Sequence, residues 1–278
     1  EGRGGYTQDR PGTIPIATKQ TGGNGSTSVI FNIVDLSDYG LIVKQSSLSS
    51  FMPGIRTNYV EIADKAYDFR AYLNPRTINL DVLVTGTSKA NLISNLDNIS
   101  RLLNPAEGVK HLTLDFPDDR FYKAKLDSSI DWEIITHKLA RAELSFICPD
   151  PLAYDNEETS RNVNLDLTDP KTITETTGGT AYIEPVYTLT AGEDLTDVTI
   201  KVENLDTGEE LQWEGFLTTG QKLEIDVALW IVKKEGTASM TTISGQFPRL
   251  LPAADNSIKV TGFSTSGSLN IKYRNQYL

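Results

Sequence analysis

Along most of this chain apolar residues alternate with polar ones, the period of a strand with one buried face. Val29, Phe31 and Ile33 open the series, and "DYGLIV" supplies a turn and a second short strand. "NYVEIA" (58–63) and "RTINLDVLV" (76–84) continue it, with Ile78, Leu80, Val82 and Val84 on one side. "HLTLDF", "RFYKAKL" and "KLARAELSFIC" follow. In the last, Ala140, Ala142, Leu144, Phe146 and Cys148 share a face opposite Arg141, Glu143 and Ser145. One stretch has the helical period instead. Leu92, Leu96, Ile99 and Leu103 predict a helix over 88–104, capped by Ser88 and stopped where Asn104 precedes Pro105.

The pattern divides the chain. "CPDPLAYDNEETS" (148–160) puts two prolines and an acidic, apolar-poor run between strand-like segments, so the boundary is placed there. Residues 29–155 form one β-rich unit carrying the helix, and 156–278 a second. The second opens with "AYIEPVYTL" and runs through Val198/Ile200/Val202, Leu223/Ile225/Val227 and Trp230/Val232, with Asp206-Thr207-Gly208 as a tight turn. No helix-period segment appears in it, which reads as a jelly-roll β-sandwich. Its end, "GQFPRLLPAADNSIKVTGFSTSGSLNIKYRNQYL", alternates at Ile258/Val260 and at Leu269/Ile271/Tyr273. Residues 1–28, rich in Gly, Thr, Ser, Gln and Pro, read as a flexible arm.

Composition narrows the function classes. At 278 residues there is room for two cores, and 23% charged against 38% apolar residues is a globular balance. A net charge of −11 argues against unspecific nucleic-acid binding, which needs a basic face for phosphates. Cys148 is the single cysteine, so an intramolecular disulfide and a cysteine-based zinc site are both excluded. No apolar run is long enough to span a bilayer as a helix. The opening residues lack a signal-peptide layout, so cytoplasmic synthesis is expected.

Candidate chemistry is thin. His111 and His137 sit in no ligand-spaced cluster. "DFPDDR" (115–120) gathers three carboxylates and an arginine, which a two-carboxylate hydrolase could use, but Pro117-Asp118-Asp119 between strands reads as a hairpin turn. "NLDLTDP" (164–170) lacks the glycine and bidentate glutamate of a calcium loop. Cys148 lies in the buried register and reads as an inert core thiol. Phosphate loops, nucleophile elbows and dinucleotide fingerprints are missing. No catalytic, cofactor-binding or metal residues are therefore assigned, no cofactor is expected, and the chain reads as a non-enzyme. Trp213, Trp230 and Tyr187 are the aromatic candidates for a sugar platform; Trp230 in "VALWIV" is expected in the core and Trp213 is expected to be exposed.

Several segments in order resemble the distal tail proteins of long-tailed (siphovirus-type) phages. These are "FNIVDLSDYGLIV", "PRTINLDVLV" with the helix after it, "LTLDFPDDRFYKAKLD", "LSFICPDPLAYD", "GTAYIEPVYTL", "GQKLEIDVALWIVKKEG" and the closing Gly-x-Phe-Pro-x-Leu segment. The resemblance spans about Phe31 to Leu278. It departs at Ala253 and Ala254, where the family usually has a glycine. It implies a mainly β chain: an N-terminal β-sandwich with one α-helix and a C-terminal galectin-like sandwich. It also implies a structural hub at the virion tail tip, a homo-hexameric ring built by the first unit. The implied partners are the tail tube protein, the tail-associated hub protein, the tape-measure protein and receptor-binding or baseplate proteins, with no specific nucleic-acid binding and no membrane. A carbohydrate-binding protein using the second sandwich is the alternative, and a hydrolase built on Asp115 to Asp119 the third.

Overall fold

The computed structural model describes residues 29–43, 54–62, 65–114, 119–165, 170–263 and 266–278. The proposed arm, most of the "DFPDDR" turn and most of the "NLDLTDP" loop lie outside the described residues.

The first unit contributes β1 (Val29–Phe31), β2 (Val34–Asp35), β3 (Leu41–Val43), β4 (Ile55–Ile62), β5 (Lys65–Leu73), β6 (Arg76–Thr85), α1 (Lys89–Leu102), β7 (Lys110–Leu114), β8 (Arg120–Leu126), β9 (Glu133–Thr136), β10 (Leu139–Cys148) and β11 (Ala153–Asp155). Their main antiparallel path runs β2-β1-β7-β8-β10-β6-β3. Its two end strands are joined only by the 3-10 turn Leu36–Tyr39 and Gly40, so the sheet must curl until its ends nearly meet. Gly40 makes this possible: its φ is +73°, and a Cβ there would overlap the Thr85 carbonyl. The alternation read in the sequence fills the interior, with Leu80, Val82, Val84, Leu144, Phe146 and Cys148 at most 1% exposed.

Ile33 departs from its expected place. Asn32 and Ile33 have φ of +49° and +65° and form the two-residue turn between β1 and β2, leaving Ile33 94% exposed. Both central residues of such a hairpin turn need positive φ, so the alternation ends at Phe31. The helix forms as expected. The Ser88 hydroxyl accepts from the Asn91 N–H at 3.2 Å, and Leu92, Leu96, Ile99 and Leu103 close over the core.

The Pro149-Asp150-Pro151 motif is a wide bulge along one neighbour. Before it, Phe146 and Ile147 pair with Leu126 and Lys125 of β8; after it, Ala153, Tyr154 and Asp155 pair with Tyr122, Phe121 and Arg120 of the same strand. Prolines cannot donate to a ladder, and here they occupy the stretch that does not pair.

The second unit comprises β12 (Thr159–Asn164), β13 (Lys171–Thr176), β14 (Val186–Ala191), β15 (Leu195–Asn204), β16 (Glu209–Leu217), β17 (Lys222–Asp226), β18 (Ile231–Lys234), β19 (Thr237–Ala238), β20 (Ile243–Gly245), β21 (Asp255–Thr261) and β22 (Gly267–Tyr273). They form two antiparallel sheets, β12-β22-β14-β17-β18-β19 and β13-β21-β15-β16-β20. Tyr187, Leu189, Val202, Leu211, Trp213, Ile258 and Ile271 fill the space between them. The chain is thus mainly β, with a curled, helix-capped first unit and a sandwich second. The last strand, β23 (Gln276–Tyr277), leaves the sandwich and pairs with β11.

Glycine in the Gly-x-Phe-Pro-x-Leu turn has a steric cause. Gly245 has φ +99°, and a Cβ there would run into the Glu210 carbonyl across β16. Ala253 takes φ +49°, a left-handed conformation that explains why a glycine suits that turn.

Candidate functional site

Strands β4 and β5 pair only with each other among the described residues, making a hairpin separate from the three larger sheets. Asn74 N–H donates to the Gly54 carbonyl at 2.8 Å and closes its base. Because neither strand pairs with a third among the described residues, the hairpin's outer edges suit the addition of a further strand. Strand β9 is a second open element: among the described residues it pairs with β10 alone, and its residues Ile134 and Ile135 are 60% and 50% exposed. Adjacent strand residues point to opposite faces, so β9 stands clear of the core on both sides.

A third feature is the contact between the two units. Phe121 on β8 and Tyr154 on β11 stack at 5.6 Å, and His111 on β7 stacks on Phe121 at 3.9 Å. Arg274 lies 5.6 Å from the Phe121 ring, and Lys123 3.9 Å from the Tyr154 ring. Asp150, in the bulge, accepts from Lys123 Nζ at 3.1 Å, from the Leu152 N–H at 3.2 Å and from the Tyr154 hydroxyl. Burial together with the cations Arg274 and Lys123 lowers the His111 pKa. Burial and the Asp150 carboxylate raise that of Glu184. Nothing in the sequence period announces this cluster, since its residues lie on the outer face of the curled sheet.

The structure disperses the other candidates. His137 lies exposed in the β9–β10 turn, and His111 on β7. Asp119 pairs with its neighbour Arg120 at 3.4 Å. Cys148 is buried, and burial pushes its thiol up to about 12, consistent with an inert thiol. Among the described residues no three His, Cys, Asp or Glu side chains gather as a metal site.

The two tryptophans exchange their expected places. Trp213 is 2% exposed, with its Nε1–H donating to the Ser239 hydroxyl at 3.0 Å. Trp230 is 68% exposed. "VALWIV" is not one strand: Asp226 pairs with Ile231, and the four residues between them turn. The Asp226 carboxylate accepts from the Leu229 N–H at 3.0 Å and holds that turn, with Trp230 at φ +56°. Tyr187, the third candidate, is fully buried, its hydroxyl donating to the Pro248 carbonyl at 3.1 Å.

Comparison with known proteins agrees with this architecture. Residues 34–148 match the model of a phage tail protein RIFT-related domain, and residues 178–277 that of a siphovirus-type tail component, C-terminal domain. The Dit (gp 19.1) protein of phage SPP1, described as a paradigm of hub adsorption apparatus in phages infecting Gram-positive bacteria, has a similar fold. Its TM-score is 0.71 at 17% identity, covering 91% of this chain and 99% of that one. A chain of the phage P2 baseplate, in its activated conformation with Ca, aligns at TM-score 0.48 and 11% identity, covering 90% of this chain and 97% of that one. None of the curated proteins compared matches the chain.

Proposed function

Starting from its membership of the distal tail proteins of siphovirus-type phages, we propose that this component of the tail and baseplate hub closes into a six-membered ring. Residues 29–155 build the ring, which joins the tail tube protein to the tail-associated hub protein around a channel for the tape-measure protein and DNA. Residues 156–278 point outward and hold receptor-binding or baseplate proteins. The role is structural, not catalytic. The chain is made in the host cytoplasm and ends at the tail tip of the virion.

The observation that carries this reading is a pair of open-edged elements in the first unit. Among the described residues the β4–β5 hairpin pairs with no third strand and β9 pairs with β10 alone, and β9 adds two exposed isoleucines. A ring needs two different surfaces that meet head to tail, and open edges of this kind suit strand addition between neighbours. The net charge of −11 suits a channel wall that does not retain DNA.

Native mass spectrometry over a concentration series, with negative-stain imaging of the same sample, tests the ring. A six-fold particle with an open centre is expected, alone or after adding the tube protein. A closed two-fold dimer under both conditions overturns the reading. A sugar-binding role for the sandwich keeps one supporting observation, the exposed Trp230 ring; the ring expected to carry it, Trp213, is buried.

A further inference from the structure

The last five residues touch both units. Strand β23 pairs with β11, with Tyr277 opposite Ala153 and Gln276 opposite Tyr154. On the other side, the Gln276 carbonyl accepts from the N–H groups of Thr180 and Ala181 at 2.9 and 3.0 Å. Asn275 bridges the units with one side chain: its Nδ2 donates to Asp155 at 2.8 Å, and its Oδ1 accepts from the Gly178 N–H at 2.9 Å. Arg274 donates to the Asp155 carbonyl at 2.8 Å, and the Arg120 guanidinium lies 3.4 Å from the Tyr277 ring centre. Gly179 admits this close approach, because a Cβ there would overlap the Gln276 carbonyl.

We propose that Arg274–Leu278 is a latch that fixes the sandwich in one orientation against the first sheet, and that a proton on His111 loosens it. The latch follows from the bonding. Each core is complete without these five residues except for Tyr277, which packs on the edge of the first. The segment is exposed to water along part of its length, so its bonds open at lower cost than those of either core.

The acid response follows from the groups that face His111. Lys123 is its direct cross-strand partner on β8, Arg274 comes from the latch, and Phe121 lies beneath its ring. The carboxylate of Asp150 is already engaged by Lys123. Because Arg274 and Lys123 disfavour a proton on His111, a proton there disfavours Arg274 in its seat by the same free energy. The His111 pKa is depressed, so its contribution is present above the ordinary histidine value and lost as pH falls through the folded value. Glu184 works the other way: protonating it relieves its repulsion with Asp150 and tightens the contact.

Spin labels on the full chain at Ser94→Cys on α1 and Thr237→Cys on β19 would read the distance between the units; Cys148 is buried and can stay. A narrow distance distribution is expected at about pH 8, broadening at about pH 5, where histidine is charged. A chain ending at Tyr273 should be broad at both. If that chain fails to fold, Arg274→Gln serves, judged by an unchanged circular dichroism spectrum. In His111→Phe the acid broadening should vanish, and Glu184 then makes acid narrow the distribution. A narrow distribution in the shortened chain or in a folded Arg274→Gln overturns the latch. Acid broadening that persists in His111→Phe overturns the role of His111.

Discussion

The rings of Trp230 and Phe247 lie 5.9 Å apart and tilted by 39°, so Phe247 supports one edge of Trp230 while the other stays in water. Trp213, by contrast, is enclosed between the two sheets of the sandwich. Trp230→Ala should therefore change stability by no more than about 0.5 kcal/mol. Trp213→Ala should cost about 3–5 kcal/mol through the cavity it leaves. Urea unfolding of both variants checks the contrast. A glycan array settles the sugar reading: binding abolished by Trp230→Ala would favour it, and no binding by the wild type would end it.

Arg249 and Glu209 clasp the loop before β21 to the start of β16. Arg249 donates through its backbone N–H at 2.8 Å and through Nε at 3.0 Å to the two oxygens of one carboxylate. Hydrogen bonds to charged groups contribute more than neutral ones, so Glu209→Gln should destabilise the sandwich by about 1.5–3 kcal/mol, measured by the same unfolding.

Ala253 holds a left-handed conformation. Ala253→Gly should relieve that strain and raise stability by about 1 kcal/mol. Gly245→Ala should do the reverse, because its Cβ would meet the Glu210 carbonyl. Thermal unfolding of the two variants should move in opposite directions.

Glu184 has a raised pKa, caused first by burial and then by Asp150. Its stabilising contribution is complete below its ordinary value of 4.5 and is lost as pH rises through the folded value. Glu184→Gln should melt above the wild type at neutral pH and alongside it at about pH 4. A gap of equal size at both pH values would show that the charge is not responsible.

Cys148 should resist thiol reagents in the native chain. Its thiol is pushed up to about 12, and the side chain is 0% exposed. Reaction with a disulfide reagent should appear only when denaturant opens the first core.

Much of the fold is legible along the chain because side-chain alternation is a property of the local backbone. Ile78 to Val84, Ala140 to Cys148 and the Leu92 to Leu103 stripe all bury the residues their periods select. The turn residues are equally local. Gly245 and the Pro149-Asp150-Pro151 break mark positions where only certain backbones fit.

What the sequence by itself determined was which faces are apolar, where the helix starts and stops, and which family the ordered segments resemble. Tertiary structure decided the rest. Trp230 meets water because of a turn that Asp226 holds inside an apparently continuous apolar run, and Trp213 is buried because its strand packs it between the two sheets. Likewise, β23 returns to β11 from the far end of the chain, and His111 faces Arg274 only because it does. Alternation is set by neighbours one and two residues away, whereas these contacts join residues that no local period can connect.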